Sequence, residues 1–132
     1  YEDLYYAWHR QTGNPFTEVL DNTPKYVAST TAQEPLIWKN STLLKGDVIE
    51  AVEELKQQDG PDLLIMGSNK LIQSLRAKPG VIDEYQLIIH PLILGNGWRQ
   101  FPDGATPEDL QLVGDPTVTT TGVIIATYRS KS

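Results

Sequence analysis

One stretch of the sequence, Asp62-Leu63-Leu64-Ile65-Met66-Gly67-Ser68-Asn69-Lys70-Leu71-Ile72, combines residue types suited to holding a phosphate. Leu63 to Met66 are all apolar, as in a strand covered on both faces. Gly67 can take backbone angles closed to other residues and lets another molecule approach the main chain. Ser68 is a good N-cap, and Leu71, Ile72 and Leu75 follow at helical spacing. The pattern predicts a strand over 62–66, a Gly-Ser turn, and a helix running to about Ala77 and ending before Pro79-Gly80. Such a junction points free N–H groups and the positive end of a helix dipole at one spot, where phosphate binds. An ordinary strand-to-helix turn also uses a small residue and a cap, so a purely structural role fits the same residues.

Other reactive residues form weaker patterns. His90 sits in an apolar run beside Pro91, and the only other histidine is His9, so a metal site lacks ligands at useful spacing. Asp83 and Glu84 are adjacent and would face opposite sides of a strand, which does not suit paired-carboxylate chemistry. Glu50, Glu53 and Glu54 read as the wet face of a helix. Ser68 has neither a Gly-x-Ser-x-Gly context nor a visible histidine–carboxylate partnership, which argues against a serine hydrolase. Gly95-Asn96-Gly97 reads as a turn or bulge, with Trp98 beside it a possible subunit contact. Tyr5, Tyr6 and Trp8 fit an aromatic core stripe better than a ligand cleft.

The elements that must position the 62–72 junction follow from periodicity and punctuation. A helix is expected over 2–12, ended by Gly13-Asn14-Pro15, with another helical turn over Phe16 to Leu20. Lys25 to Thr30 reads as a strand, and Leu36 to Leu44 as short extended pieces around Trp38. Asp47 and Glu50 form a capping-box arrangement that opens a helix buried through Val48, Ile49, Val52 and Leu55, stopped by Asp59-Gly60-Pro61. Val81 to Leu94 is expected to be extended. Leu110 to Val113, a turn at Gly114-Asp115-Pro116, and Val118 to Arg129 read as a closing β-hairpin. Alternating strands and helices predict an α/β fold: a mixed, mostly parallel central sheet flanked by helices, with a C-terminal antiparallel hairpin. The 132 residues are expected to form a single domain, 1–132.

Composition narrows the partners. The net charge is −6 and lysines and arginines are scattered, so no basic stripe is offered to nucleic acid or anionic lipid. The absence of cysteine rules out disulfides, thiolate metal sites and cysteine nucleophiles, and fits a reducing, cytoplasmic compartment. Apolar runs are too short to span a bilayer, and the acidic, aromatic first residues do not form a signal peptide. The chain begins at Tyr1 with helical sequence and no lead-in, so the natural polypeptide is expected to continue upstream.

Several segments together resemble the dihydrofolate-reductase-like family, in the branch of the C-terminal reductase domain of the bifunctional riboflavin-biosynthesis enzyme. They are Lys25-Tyr26-Val27-Ala28-Ser29-Thr30, the Trp38 to Asp47 run, Asp62 to Leu71, the Asp83 to Gly97 run containing Ile88-Ile89-His90-Pro91, Phe101, and Thr121 to Tyr128. The resemblance implies a reductase using NADPH, with NADH as the other possibility. It places the diphosphate at Gly67, Ser68 and the backbone of Asn69, Lys70 and Leu71. It places Ser29, Thr30 and Thr31 near the adenosine ribose and its 2′-phosphate. Many relatives carry a basic residue where this chain has Thr30, and hydroxyls alone hold phosphate less strongly than a guanidinium. Family members begin with a strand, a loop, a helix and a second strand ending in a Gly-Arg-x-Thr-Tyr-Glu-like sequence; Tyr1-Glu2 resembles its end. The implied preceding strands would carry much of the substrate wall, and no catalytic acid is assigned within this chain.

The resemblance therefore implies hydride transfer to a C=N or C=O carbon of a pterin- or pyrimidine-like ring. Two other readings stay open: a non-catalytic nucleotide- or dinucleotide-binding module, and a structural or assembly domain. A homodimer through the terminal strands is expected.

Overall fold

The computed structural model describes residues 1–131. The chain divides into two compact units, Tyr1–Ala51 and the remainder from Val52.

In the first unit, α1 (Glu2–His9) carries Glu2 and Asp3 in its first turn, where the dipole favours acids. It ends earlier than the expected residue 12. α2 (Pro15–Asn22) is longer than the single turn expected. Asn14, read as part of a helix stop, is instead its N-cap and accepts from the Phe16 N–H at 2.9 Å, with Pro15 in the first helical position. β1 (Lys25–Ala28) pairs in parallel with β2 (Ser41–Leu44), from Lys25↔Ser41 to Ala28↔Leu44. Val27 and Trp38 are the buried centre of this unit. The Lys25 ammonium closes the end of α2, donating to the carbonyls of Leu20 (2.7 Å) and Thr23 (2.8 Å) while lying 4.9 Å from the centre of the Trp38 ring. Asp47 opens α3 (Val48–Lys56) as its spacing predicts, its Oδ1 accepting from Ile49 N–H (2.9 Å) and Glu50 N–H (3.1 Å).

The second unit contains α4 (Asn69–Leu75), β3 (Glu84–Ile89), β4 (Leu110–Leu112), β5 (Thr117–Val118) and β6 (Ile124–Ser130). β6 is central. It pairs antiparallel with β3 on one side and with β4 and then β5 on the other. Leu75, Val81, Tyr85 and Ala126 are its buried residues. Lys56, in the part of α3 that belongs to this second unit, pairs with Asp83 at 2.8 Å and donates to the carbonyls of Gly80 and Val81, within the segment leading into β3.

The α/β class with mixed pairing stands, but its details differ from expectation in three ways. Residues 62–66 are not a strand. A strand exists through ladder hydrogen bonds to a neighbour, and among the described residues this segment pairs with none; Leu64 is 81% exposed. The only parallel pairing there is consequently β1–β2, and the antiparallel ladders all involve β6. The C-terminal hairpin also turns elsewhere. Gly114-Asp115-Pro116 merely interrupts the strand running beside β6, while the reversal lies at 119–123. There Thr119 N–H donates to Val123 carbonyl, Thr119 Oγ1 accepts from Val123 N–H, and Gly122 takes φ +84°. β6 is thus paired along both edges.

Tyr85 carries a testable consequence of the packing. Its hydroxyl donates to Glu108 Oε2 at 3.3 Å, and Arg76 Nη2 approaches the same oxygen at 3.5 Å. Burial first, and the Glu108 charge second, push the phenol above its ordinary pKa of 10.0. The unfolded phenol ionises at the ordinary value and the folded one only at higher pH. This contribution to stability is therefore complete below about pH 10 and is lost as pH rises through the folded value. Urea denaturation on both sides of that pH should show a steeper alkaline loss for the wild type than for Tyr85→Phe; equal slopes would contradict the burial argument.

Candidate functional site

At the predicted phosphate turn, local chemistry forms the expected junction without the expected strand. Ser68 is the N-cap of α4, with its Oγ accepting from Leu71 N–H at 3.4 Å and its carbonyl accepting from Ile72 N–H at 3.1 Å. Asn69 and Lys70 occupy the first helical turn, where backbone N–H groups lack intrahelical acceptors. Gly67 has φ +127°, and its peptide bond to Ser68 is cis. A methyl built on Gly67 would meet no atom within 4 Å. Gly67, Ser68 and Lys70 are exposed, while Asn69 and Leu71 are half-buried. The junction is thus open, with main-chain donors beside a glycine that leaves room for an approaching anion.

Ser29, Thr30 and Thr31 leave the carboxyl end of β1. Ser29 Oγ accepts from Thr31 N–H (3.2 Å) and Ala32 N–H (3.0 Å), and lies 3.4 Å from Thr31 Oγ1. This short side-chain-to-backbone turn bends the chain and leaves Thr30 and Thr31 exposed. The structure therefore groups Ser29, Thr30 and Thr31 in one turn of the first unit, and Gly67, Ser68, Asn69, Lys70 and Leu71 in one junction of the second. Lys45, which follows β2, pairs with Glu34 at 3.3 Å.

The remaining candidates resolve into structural partners. Asp83 pairs with Lys56, and Glu84 pairs across the ladder with Arg129. Glu53, read as part of a wet face, pairs with Lys78 at 2.6 Å. His9 stacks on Tyr5, ring centres 4.6 Å apart, and His90 is exposed after β3. Among the described residues, no group of three or more His, Cys, Asp or Glu could hold a metal ion, and no helix is long and apolar enough to cross a membrane. A cleft of about 270 Å³ lies at the far end of α4, between Arg76, Tyr85, Phe101, Pro107 and Leu110. The Arg76 guanidinium faces the Phe101 ring at 5.1 Å and donates to the Thr106 carbonyl at 3.1 Å, while its Nε is buried without a partner. This cluster fixes the 101–108 segment against α4.

Comparison with known proteins gives a consistent result. The RibD C-terminal domain family pattern matches residues 3–124. The Bacillus subtilis (strain 168) protein YyaP, itself uncharacterized, is 30% identical over 131 residues, covering 96% of this chain and 68% of YyaP. A solved structure of a Shewanella sp. PV-4 protein assigned to riboflavin biosynthesis superimposes with a TM-score of 0.75 at 22% identity, covering 99% of this chain and 71% of that one. The last similarity establishes the fold, a mixed α/β architecture.

Proposed function

Because the chain belongs to the RibD C-terminal domain family, a family of reductase type, we propose that it acts in an NADPH-dependent reductase directed at a pterin- or pyrimidine-like heterocycle. The observation that carries this reading is the open Gly67-Ser68 junction at the start of α4, with first-turn amides and an exposed glycine at φ +127°. Those amides suit a diphosphate, which presents anionic oxygens to main-chain donors. The exposed hydroxyls of Thr30 and Thr31, held out by the Ser29 turn, suit the adenosine ribose. When bound, the cofactor supplies the hydride; the protein's part is to orient the two rings and exclude water between them. No residue is assigned as the acid that completes the reduction.

Fluorescence titration of NADPH with the full-length polypeptide tests the proposal. Saturable binding, accompanied by oxidation of NADPH when a panel of pterins and pyrimidinones is added, is the expected result. Absence of saturable binding would sink it. Binding without turnover across the panel would instead favour a nucleotide-binding module.

A further inference from the structure

The Gly95-Asn96-Gly97 turn beyond β3 belongs neither to a ladder nor to the site described above. Residues 91–99 are all exposed. Gly95 and Gly97 both take positive φ, +77° and +136°, and a methyl built on either would meet no atom within 4 Å. Among the described residues, neither the Asn96 side chain nor the Gly97 N–H has a hydrogen-bond partner. The other asparagines of the chain are held. Asn14 donates to Gln11 at 2.7 Å and precedes a proline, which has no N–H. Asn22 lies in α2 before Thr23, whose N–H is bonded to the Val19 carbonyl at 2.9 Å. Asn40 donates to the Asp21 carbonyl at 3.0 Å, and Asn69 opens α4 with Lys70 helical after it.

We infer that Asn96 is a site of spontaneous covalent modification, closing a ring onto the Gly97 amide and opening with water to aspartate and isoaspartate. The Gly97 nitrogen attacks Asn96 Cγ. The new N–Cγ bond replaces the Cγ–Nδ2 bond, and ammonia leaves with the proton that the Gly97 amide gives up. Water then opens the cyclic imide. Cleavage at Cγ–N returns an ordinary aspartate; cleavage at the main-chain carbonyl leaves isoaspartate, with the chain running through Cγ. Nothing is oxidised or reduced, and water is the one co-reactant. The step needs an amide that can give its proton to solvent, which the unbonded, exposed Gly97 N–H provides. It also needs a backbone that bends over the side chain. Glycine makes that bend without a Cβ in the way, and the open space around the turn leaves room for it. Each conversion adds one negative charge to a chain already at −6. The chemistry uses no cofactor and is independent of the reductase reading.

Incubation of the folded full chain in mildly alkaline buffer made with heavy-oxygen water tests the assignment. Ion exchange should resolve a growing species with one more negative charge. Trypsin then isolates Asn96 in the peptide from Ala77 to Arg99, which contains no other asparagine. That peptide should yield aspartate and isoaspartate together, both carrying the heavy oxygen. Asn96 should convert about tenfold or more faster than any other asparagine of the folded chain, the ratio for avoiding one residue's worth of backbone strain. Its rate should be similar in the folded chain and in urea, since the fold does not restrain it. Gly97→Ala should slow the reaction by about tenfold. Asn96→Gln, which keeps Gly97 and its backbone angles, should remove the acidic species. Aspartate without isoaspartate would mean direct hydrolysis and overturn the ring. A folded chain that protects Asn96 relative to urea, or an acidic species that persists in Asn96→Gln, would also overturn the assignment.

Discussion

Gly67→Ala lowers NADPH affinity by about tenfold or more and destabilises the fold by about 1–3 kcal/mol, the scale of one residue forced into an unfavourable backbone region. The glycine sits at φ +127°, where a side chain is strained whatever the surrounding space. Crowding does not contribute, because a methyl there meets no atom within 4 Å. The backbone relieves the strain by rotating, and rotation at Gly67 re-aims the amides of Ser68, Asn69 and Lys70 together. Gly60→Ala is the matching control: Gly60 also has open space but no positive φ, so it should bind NADPH like the wild type. Urea denaturation and fluorescence titration of the two variants provide the comparison. A Gly67→Ala protein with wild-type affinity would show that the amides after this residue do not hold the cofactor.

Trp38→Ala costs about 3–5 kcal/mol, the usual loss for deleting a buried aromatic side chain. Trp38 is 3% exposed. Its ring lies among Tyr1 (6.3 Å between centres), Tyr5 (5.6 Å) and the Lys25 ammonium, and its indole N–H donates to Asp21 Oδ1 at 2.7 Å. Its backbone N–H donates to the Tyr1 hydroxyl, which donates in turn to Ser41 Oγ. Removing the indole leaves a cavity among Tyr1, Tyr5 and Lys25 and strips a partner from Asp21. The loss rivals the whole stability of many small domains. Trp38→Phe separates packing from polarity, since it keeps a ring and loses the indole donor, at about 1 kcal/mol for the hydrogen bond. Denaturation followed by circular dichroism should rank wild type above Trp38→Phe and both well above Trp38→Ala. Near-equal stability of wild type and Trp38→Ala would contradict a core centred on this residue.

The parts of the fold legible in the sequence are those governed by neighbours in the chain. Asp47 caps α3 and Ser68 caps α4 because each cap is a contact with an amide two or three residues away. β1 was readable from its run of strand-forming residues. The 62–66 segment was misread because composition reports what a strand can bury, while a ladder needs a partner that no local pattern specifies. The closing hairpin was misplaced for a related reason: Gly-Asp-Pro is strong turn chemistry, yet it interrupts a strand there, and the reversal falls to the Thr119–Val123 bonds. At the 67–71 junction the glycine and its cap were visible, but the Lys45–Glu34 pair of the other unit was not. It joins residues on either side of β2 through the return of a loop, which spacing alone does not reveal.

The central position of β6 shapes how the polypeptide is made. Each antiparallel ladder of the second unit is closed by residues 124–130, so a growing chain emerging from the ribosome has no sheet there until those residues clear the exit tunnel. Until then β3 waits without its partner strand. Long-range pairing of this kind is slow and leaves sticky surface accessible to other nascent chains. Recombinant yield should therefore respond more to chaperone supply and growth temperature than the acidic surface alone would suggest.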